Sequence, residues 1–152
     1  FTAMPVFDKT TKTQVDLLHM RRLTWEEQRN RIVDKYNQWH CSCVGTETNS
    51  IGSVNFDALH AAGLTVLGFQ TTNLSKAEIM SDLYEAIHTG GWKLQDWPVQ
   101  KQEMFTFVST QTATGIWRLA AEGEGHDDTV MGLGIALWAA TAPTPADLIG
   151  FV

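Results

Sequence analysis

The stretch from Gly125 to Trp138, Gly-His-Asp-Asp-Thr-Val-Met-Gly-Leu-Gly-Ile-Ala-Leu-Trp, constrains this chain more than any other. Two adjacent carboxylates open an almost wholly apolar run, and no charged residue follows until Asp147. A helix that is apolar on every side is a buried helix, so its entry point sits at the edge of a core, where ions are costly unless paired or metal-bound. One aspartate is accounted for as a cap, accepting bonds from free backbone N–H groups at the positive end of the helix dipole. Successive helical positions diverge by about 100° around the axis, so the second carboxylate is left to meet a metal or another strand. This stretch alone leaves capping and a metal site equally open.

The chain has 152 residues, which is about one domain, large enough to bury a core without disulfides. With 43% hydrophobic and 18% charged residues it reads as soluble and globular. No apolar run reaches the roughly 18 residues of a membrane span, and no signal peptide is recognisable. Cys41 and Cys43 lie two apart on an expected strand and have no second pair, which favours free buried thiols in a reducing cytoplasm over zinc. The net charge of −6 argues against a surface coated in phosphate contacts. It leaves room for a locally basic groove, or for metal ions bridging acids to a phosphate backbone.

Phe1 to Phe7 reads as a strand from its first residue, so the chain has the look of a fragment, and Gln14 to Met20 reads as the returning strand of a hairpin. Thr24 with Glu27 forms a capping box for a helix ending near His40, with Trp25, Ile32, Val33, Tyr36 and Trp39 on one face. A strand from Cys41 to Glu47 follows, then a helix from Ser53 to Ala62 closed by Gly63. Leu64 to Phe69 is a strand. Ser75 and Glu78 suggest a second capping box, on a helix stopped by Gly90 and Gly91. Trp92 to Pro98 is expected to be extended and Val99 to about Phe107 helical. A hairpin around Ala113-Thr114-Gly115 leads to the apolar helix, and residues 141–152, with Pro143 and Pro145, read as a tail or linker.

On that scaffold Glu47 falls at the carboxyl end of a strand, the edge of open α/β sheets where ligands sit. A solvated loop glutamate is the plainer reading of its spacing. A strand-end acid together with helix-start acids is what a divalent cation site requires, because carboxylates are hard oxygen ligands and one or two suffice for each ion once phosphate and water complete the shell.

Thr46-Glu47-Thr48-Asn49-Ser50-Ile51-Gly52, then Gly68-Phe69-Gln70-Thr71-Thr72-Asn73 leading into Ser75-Lys76, then Gly125-His126-Asp127-Asp128-Thr129-Val130-Met131, resemble the carboxyl-terminal nuclease domain of the large terminase subunit of tailed bacteriophages. The resemblance covers residues 1–140 and lies in the order of the motifs. It implies an α/β, ribonuclease H-like mixed sheet flanked by helices. The activity implied is two-metal cutting of concatemeric double-stranded DNA with Mg²⁺ or Mn²⁺, in the host or bacterial cytoplasm and without a membrane. An amino-terminal ATPase motor, the portal ring and the small terminase subunit are the partners it implies. Glu47 is similar to the family's second acid, and Asp127 with Asp128 to the acidic pair opening its last helix.

The family also carries a first acid on a strand immediately before the one that begins here at Phe1, and that strand is absent from this sequence. Asp8 and Asp16 are poor substitutes. No Gly-x-x-x-x-Gly-Lys-Ser/Thr phosphate loop is present either. Glu47, Asp127 and Asp128 are therefore the expected catalytic metal ligands. Lys76 reads either as a phosphate contact or as a solvated lysine, and Asn49 as a loop-ordering residue with DNA contact as the alternative. His126 reads as a hydrogen-bonded helix-start histidine or as a support to the site. Trp92 and Trp97, in an extended segment, are candidate DNA contacts. Another ribonuclease H-like enzyme, a junction resolvase or hybrid nuclease, would share the acid pattern, whereas a non-catalytic portal or DNA docking module would need no metal.

Overall fold

The apolar run forms the helix on which the rest of the chain is assembled. The computed structural model describes residues 2–49, 52–111, 117–121 and 125–143. In order these form β1 (Thr2–Asp8), β2 (Thr13–Met20), α1 (Trp25–Gln38), β3 (Val44–Glu47), α2 (Gly52–Ala61), β4 (Val66–Phe69), α3 (Asn73–His88), α4 (Pro98–Thr106), β5 (Phe107–Gln111), β6 (Trp117–Ala121) and α5 (Asp128–Thr141). Phe1, Ser50, Ile51, the turn at Ala113 to Gly115 and the expected tail from residue 144 lie outside the described residues. Among those described, no helix is long and apolar enough to cross a membrane.

α5 buries Val130, Leu133, Ile135 and Leu137 against Phe69 of β4 and against Ile79, Met80 and Leu83 of α3, forming the main core. Each such aliphatic side chain contributes about 1.5–3 kcal/mol on burial. A second cluster gathers Val44, Leu59 and Leu64, with Ile32, Val33 and Tyr36 of α1 laid over it. Only those three residues of the expected α1 stripe pack inward. Trp25 and Trp39 stay 43% and 40% exposed.

The strands form three two-stranded sheets, not the single sheet expected for the first four. β1 and β2 pair antiparallel with a bulge between Val6 and Phe7, β3 and β4 pair parallel, and β5 and β6 pair antiparallel. β1 and β3 do not hydrogen-bond to each other because a cavity of about 740 Å³ lies between them, lined by every residue of both strands. α5 forms its floor through Met131, Gly132, Ile135, Ala136 and Ala139. Both strands rest on that helix. Gly132 lies against Pro5 and the Ala3 carbonyl, while Gly45 lies against Ile135 and Ala139 so closely that a methyl group there would crowd them at 3.0 Å.

Local signals account for most boundaries. The Thr24–Glu27 box forms as expected, with the Thr24 amide donating to Glu27 at 2.8 Å and the Glu27 amide to Thr24 Oγ1 at 3.2 Å. On α3 the box is Thr72 with Ser75 instead of Ser75 with Glu78, so the helix begins earlier. The Thr72 amide donates to Ser75 Oγ at 2.9 Å and the Ser75 amide returns a bond to Thr72 Oγ1 at 3.1 Å. β3 begins only at Val44, because the chain leaves α1 through His40 in a left-handed conformation, φ 48°. Cys41 and Cys43 consequently precede the strand, half-buried and outside any disulfide among the described residues, with Cys43 Sγ donating to the Ala139 carbonyl at 3.6 Å.

Candidate active site

Glu47 ends β3 opposite Phe69 of the parallel strand β4, and its side chain is exposed. The loops after the two strands are tied together at this edge. The Thr48 amide donates to the Phe69 carbonyl at 2.9 Å, and Asn49 Nδ2 donates to the Thr71 carbonyl at 2.6 Å. Asn49 is thus a loop tie, as its residue type favours. Gly52 folds back so far that a methyl group on it would overlap the Glu47 carbonyl oxygen, so only glycine closes this loop.

At α5, Asp127 occupies the cap position but makes no side-chain capping bond. Its Oδ2 instead accepts from Lys76 Nζ of α3 at 3.0 Å, and the same ammonium lies 5.6 Å from the centre of the Phe107 ring. Asp128, one residue on, is only 3.7 Å from His126 Nδ1. Burial pushes the Asp128 carboxyl above its ordinary value; the positive amino terminus opposes this, the negative charge of Glu103 adds to it, and smaller effects of His126 and Asp127 oppose each other. The two carboxylates diverge as helical geometry requires. Asp127 is committed to a lysine, and Asp128 has His126 beside it.

The cap that neither aspartate supplies comes from Glu103 on α4, a residue with no motif around it in the sequence. Its Oε2 accepts from the Thr129 amide at 2.7 Å and from Thr129 Oγ1 at 2.5 Å, and both residues are buried. Glu103 shares the inner face of α4 with Gln100, which sits three positions earlier. The burial of Glu103 is visible only in the structure, since acids ordinarily stay at the surface.

Glu47, Asp127 and Asp128 all line the cavity between β1 and β3 although they come from opposite ends of the chain. Asp8 also reaches it, but its carboxylate is held in its own turn by the Thr10 amide at 2.8 Å and Thr11 Oγ1 at 2.8 Å. Asp16 binds Lys35 at 2.7 Å and Trp39 Nε1 at 2.8 Å. Trp92 packs edge-on against Phe7 at 5.3 Å, in the core rather than towards a ligand, and Trp97 caps α4 through its backbone.

The donor set suits a hard divalent cation, with carboxylate oxygens around an open space, one of them on a partly buried acid. Among the described residues no three His, Cys, Asp or Glu side chains close on one point. Mg²⁺ and Mn²⁺ sites need only one or two carboxylates beside phosphate and water, so the residues present fit a partial site.

The α/β arrangement of a buried helix, flanking short sheets and an acid-lined cleft at the helix entrance is similar to the nuclease domain of large terminase subunits. The comparisons agree with that class. The terminase large subunit of Thermus virus P23-45 is 26% identical over 137 residues, 90% of this chain and 28% of the relative. The chain therefore spans little more than a quarter of the curated relatives it matches. The crystal structure of the large terminase nuclease from thermophilic phage G20c superposes with a TM-score of 0.83 at 25% identity, covering 90% of this chain and 73% of the other. The same nuclease with bound magnesium gives a TM-score of 0.82 at 25% identity over 88% of this chain and 71% of the other. No family model matches the sequence.

Proposed function

We propose that this chain is the endonuclease portion of a phage DNA-packaging terminase large subunit, cutting concatemeric double-stranded DNA with two Mg²⁺ or Mn²⁺ ions. The observation that carries the reading is that Glu47, Asp127 and Asp128 line one cleft at the mouth of a buried helix. Glu47 and Asp128 are the residues that would hold the ions, because Glu47 is exposed at a strand end and Asp128, unlike Asp127, is not bonded to a lysine. Such ions, when bound, generate a nucleophile at neutral pH and stabilise the leaving oxygen.

Asp127 is held by Lys76 and borders the same space, so it orders the second edge of the site. Lys76 then serves the acid pair before any phosphate. His126, exposed beside Asp128, supports that carboxylate from outside. The strand and first acid that the resemblance places ahead of β1 would enter the cavity between β1 and β3 and complete the donor set. The amino-terminal ATPase motor, portal ring and small terminase subunit are the proposed partners, and the host cytoplasm the proposed location.

The test is Mn²⁺ titration and plasmid cutting by a longer protein that includes the preceding strand, compared with Glu47→Ala and Asp128→Ala. Both substitutions should abolish cutting and leave the circular dichroism spectrum unchanged. Mn²⁺-dependent cutting that survives both would overturn the assignment. A panel of duplex, junction and RNA–DNA hybrid substrates separates a terminase from a resolvase or hybrid nuclease, since the duplex should be cut preferentially.

A further inference from the structure

We infer that Glu103 is a positioning residue of the acid site. By capping α5 from a neighbouring helix, it leaves Asp127 and Asp128 free to face the cleft. This rests on the metal-site reading given above for what the freed acids do, but the positioning itself is a matter of hydrogen bonds.

The first turn of any helix carries backbone N–H groups without partners inside the helix, and an aspartate at or next to the cap position ordinarily turns its own side chain back to accept them. α5 departs from this. Asp127 stands at the cap position and makes no such bond. The Thr129 amide is buried beyond the reach of water, so it needs an acceptor from the protein, and Glu103 Oε2 provides it at 2.7 Å. The same oxygen takes the Thr129 hydroxyl at 2.5 Å. With both donors of Thr129 satisfied from α4, Asp127 is available to Lys76 and Asp128 to the cleft.

Glu103 is itself held in place. Gln100, on the same inner face of α4, exchanges amide bonds with Gln14 of β2 at 2.8 and 3.0 Å. That exchange ties α4 to β2 beside Glu103. Glu103 is 7% exposed, so its bonds to Thr129 face little competition from solvent.

Without Glu103 the Thr129 amide would be buried with no acceptor, and the nearest replacement is an aspartate of the same turn. Glu103→Leu should therefore swing Asp127 or Asp128 onto the Thr129 amide, whereas Glu103→Gln keeps an acceptor oxygen and should leave both where they are. The experiment uses the full chain. Crystal structures of the two variants report the aspartate positions without any metal, and calorimetric titration with Mn²⁺ reports the consequence. Loss of an outer-shell partner weakens metal binding roughly 10- to 100-fold, so Glu103→Leu should show a loss of that size and Glu103→Gln should restore affinity to within about threefold of the parent.

Asp16→Asn weakens bonds to Lys35 and Trp39 and touches neither Glu103 nor Thr129. It should lower the melting temperature yet keep Mn²⁺ affinity, which a purely structural role for Glu103 would not separate. If Glu103→Leu does not fold, Thr129→Val, which removes only the hydroxyl donor, should give a smaller loss of affinity in the same direction. Aspartates that keep their positions in Glu103→Leu, or in Thr129→Val with unchanged affinity, overturn the inference. A parent protein that binds no Mn²⁺ overturns the metal reading instead, and the variant crystal structures still decide the positioning.

Discussion

At the scale of single residues the site behaves as a place where stability is given up. The Asp128 carboxyl sits above its ordinary value of 3.8 because of burial first and then the charges of Glu103 and Asp127. A carboxyl that holds its proton more tightly in the folded state costs stability when it ionises. That cost is absent below the unfolded value and fully present once the pH exceeds the folded one. Asp128→Asn should therefore raise the melting temperature at neutral pH in a chelating buffer, and added Mn²⁺ should stabilise the parent but not the variant. A variant that melts lower than the parent under chelation would contradict this account. Asp16 is the opposite case. Its partial burial alone would raise the carboxyl, yet the bonds from Lys35, Trp39 and the Leu17 amide hold it below its ordinary value. Its contribution is present above the unfolded value and disappears as the pH falls through the folded one. Asp16→Asn should cost on the order of 1 kcal/mol at neutral pH, with the difference from the parent closing in acid, as denaturant titrations at several pH values would reveal.

At the scale of elements, legibility followed the range of the interaction that sets each one. The α1 cap, the closure of α2 by Gly63 and the burial of α5 depend on residues a few positions apart, and their patterns are visible in the chain. α4 was readable as a helix but not as a load on the core, because its inner face is Gln100 and Glu103, polar residues that ordinarily stay outside. They are buried only because their partners, Gln14 and Thr129, lie 86 and 26 positions away. The same limit hid the division of labour between the two aspartates: sequence gave their divergence, but Lys76 and Glu103 decide which faces what. Gln100→Leu should cost about 1–3 kcal/mol, since Gln14 would be left buried with unmade bonds. Replacing both glutamines with leucine should recover part of that loss, measured as the midpoint of urea unfolding.

At the scale of the whole molecule, the separation of the sheets is the feature that periodicity could not foretell. Each strand near the cleft carries its pattern correctly, but pairing depends on what lies between them. A two-stranded sheet is marginal alone, and an unpaired strand edge is a template for another strand. β1 and β3 both line the cavity, both rest on α5, and each has a single strand partner among the described residues. An extended segment laid over Gly132, Ile135 and Ala136 would join the two pairs into one sheet and bring its own side chains beside Glu47 and Asp128. If the strand expected ahead of β1 is that segment, a longer protein containing it should melt higher than the present chain, and the backbone amides of β1 and β3 that are not bonded to β2 or β4 should exchange with solvent more slowly. The same protein should bind Mn²⁺ more tightly and cut plasmid DNA faster than the present chain. Unchanged exchange along both edges would mean that the cleft stays open in the longer protein. In that case the cavity is a groove for the nucleic acid itself and the third acid must come from elsewhere.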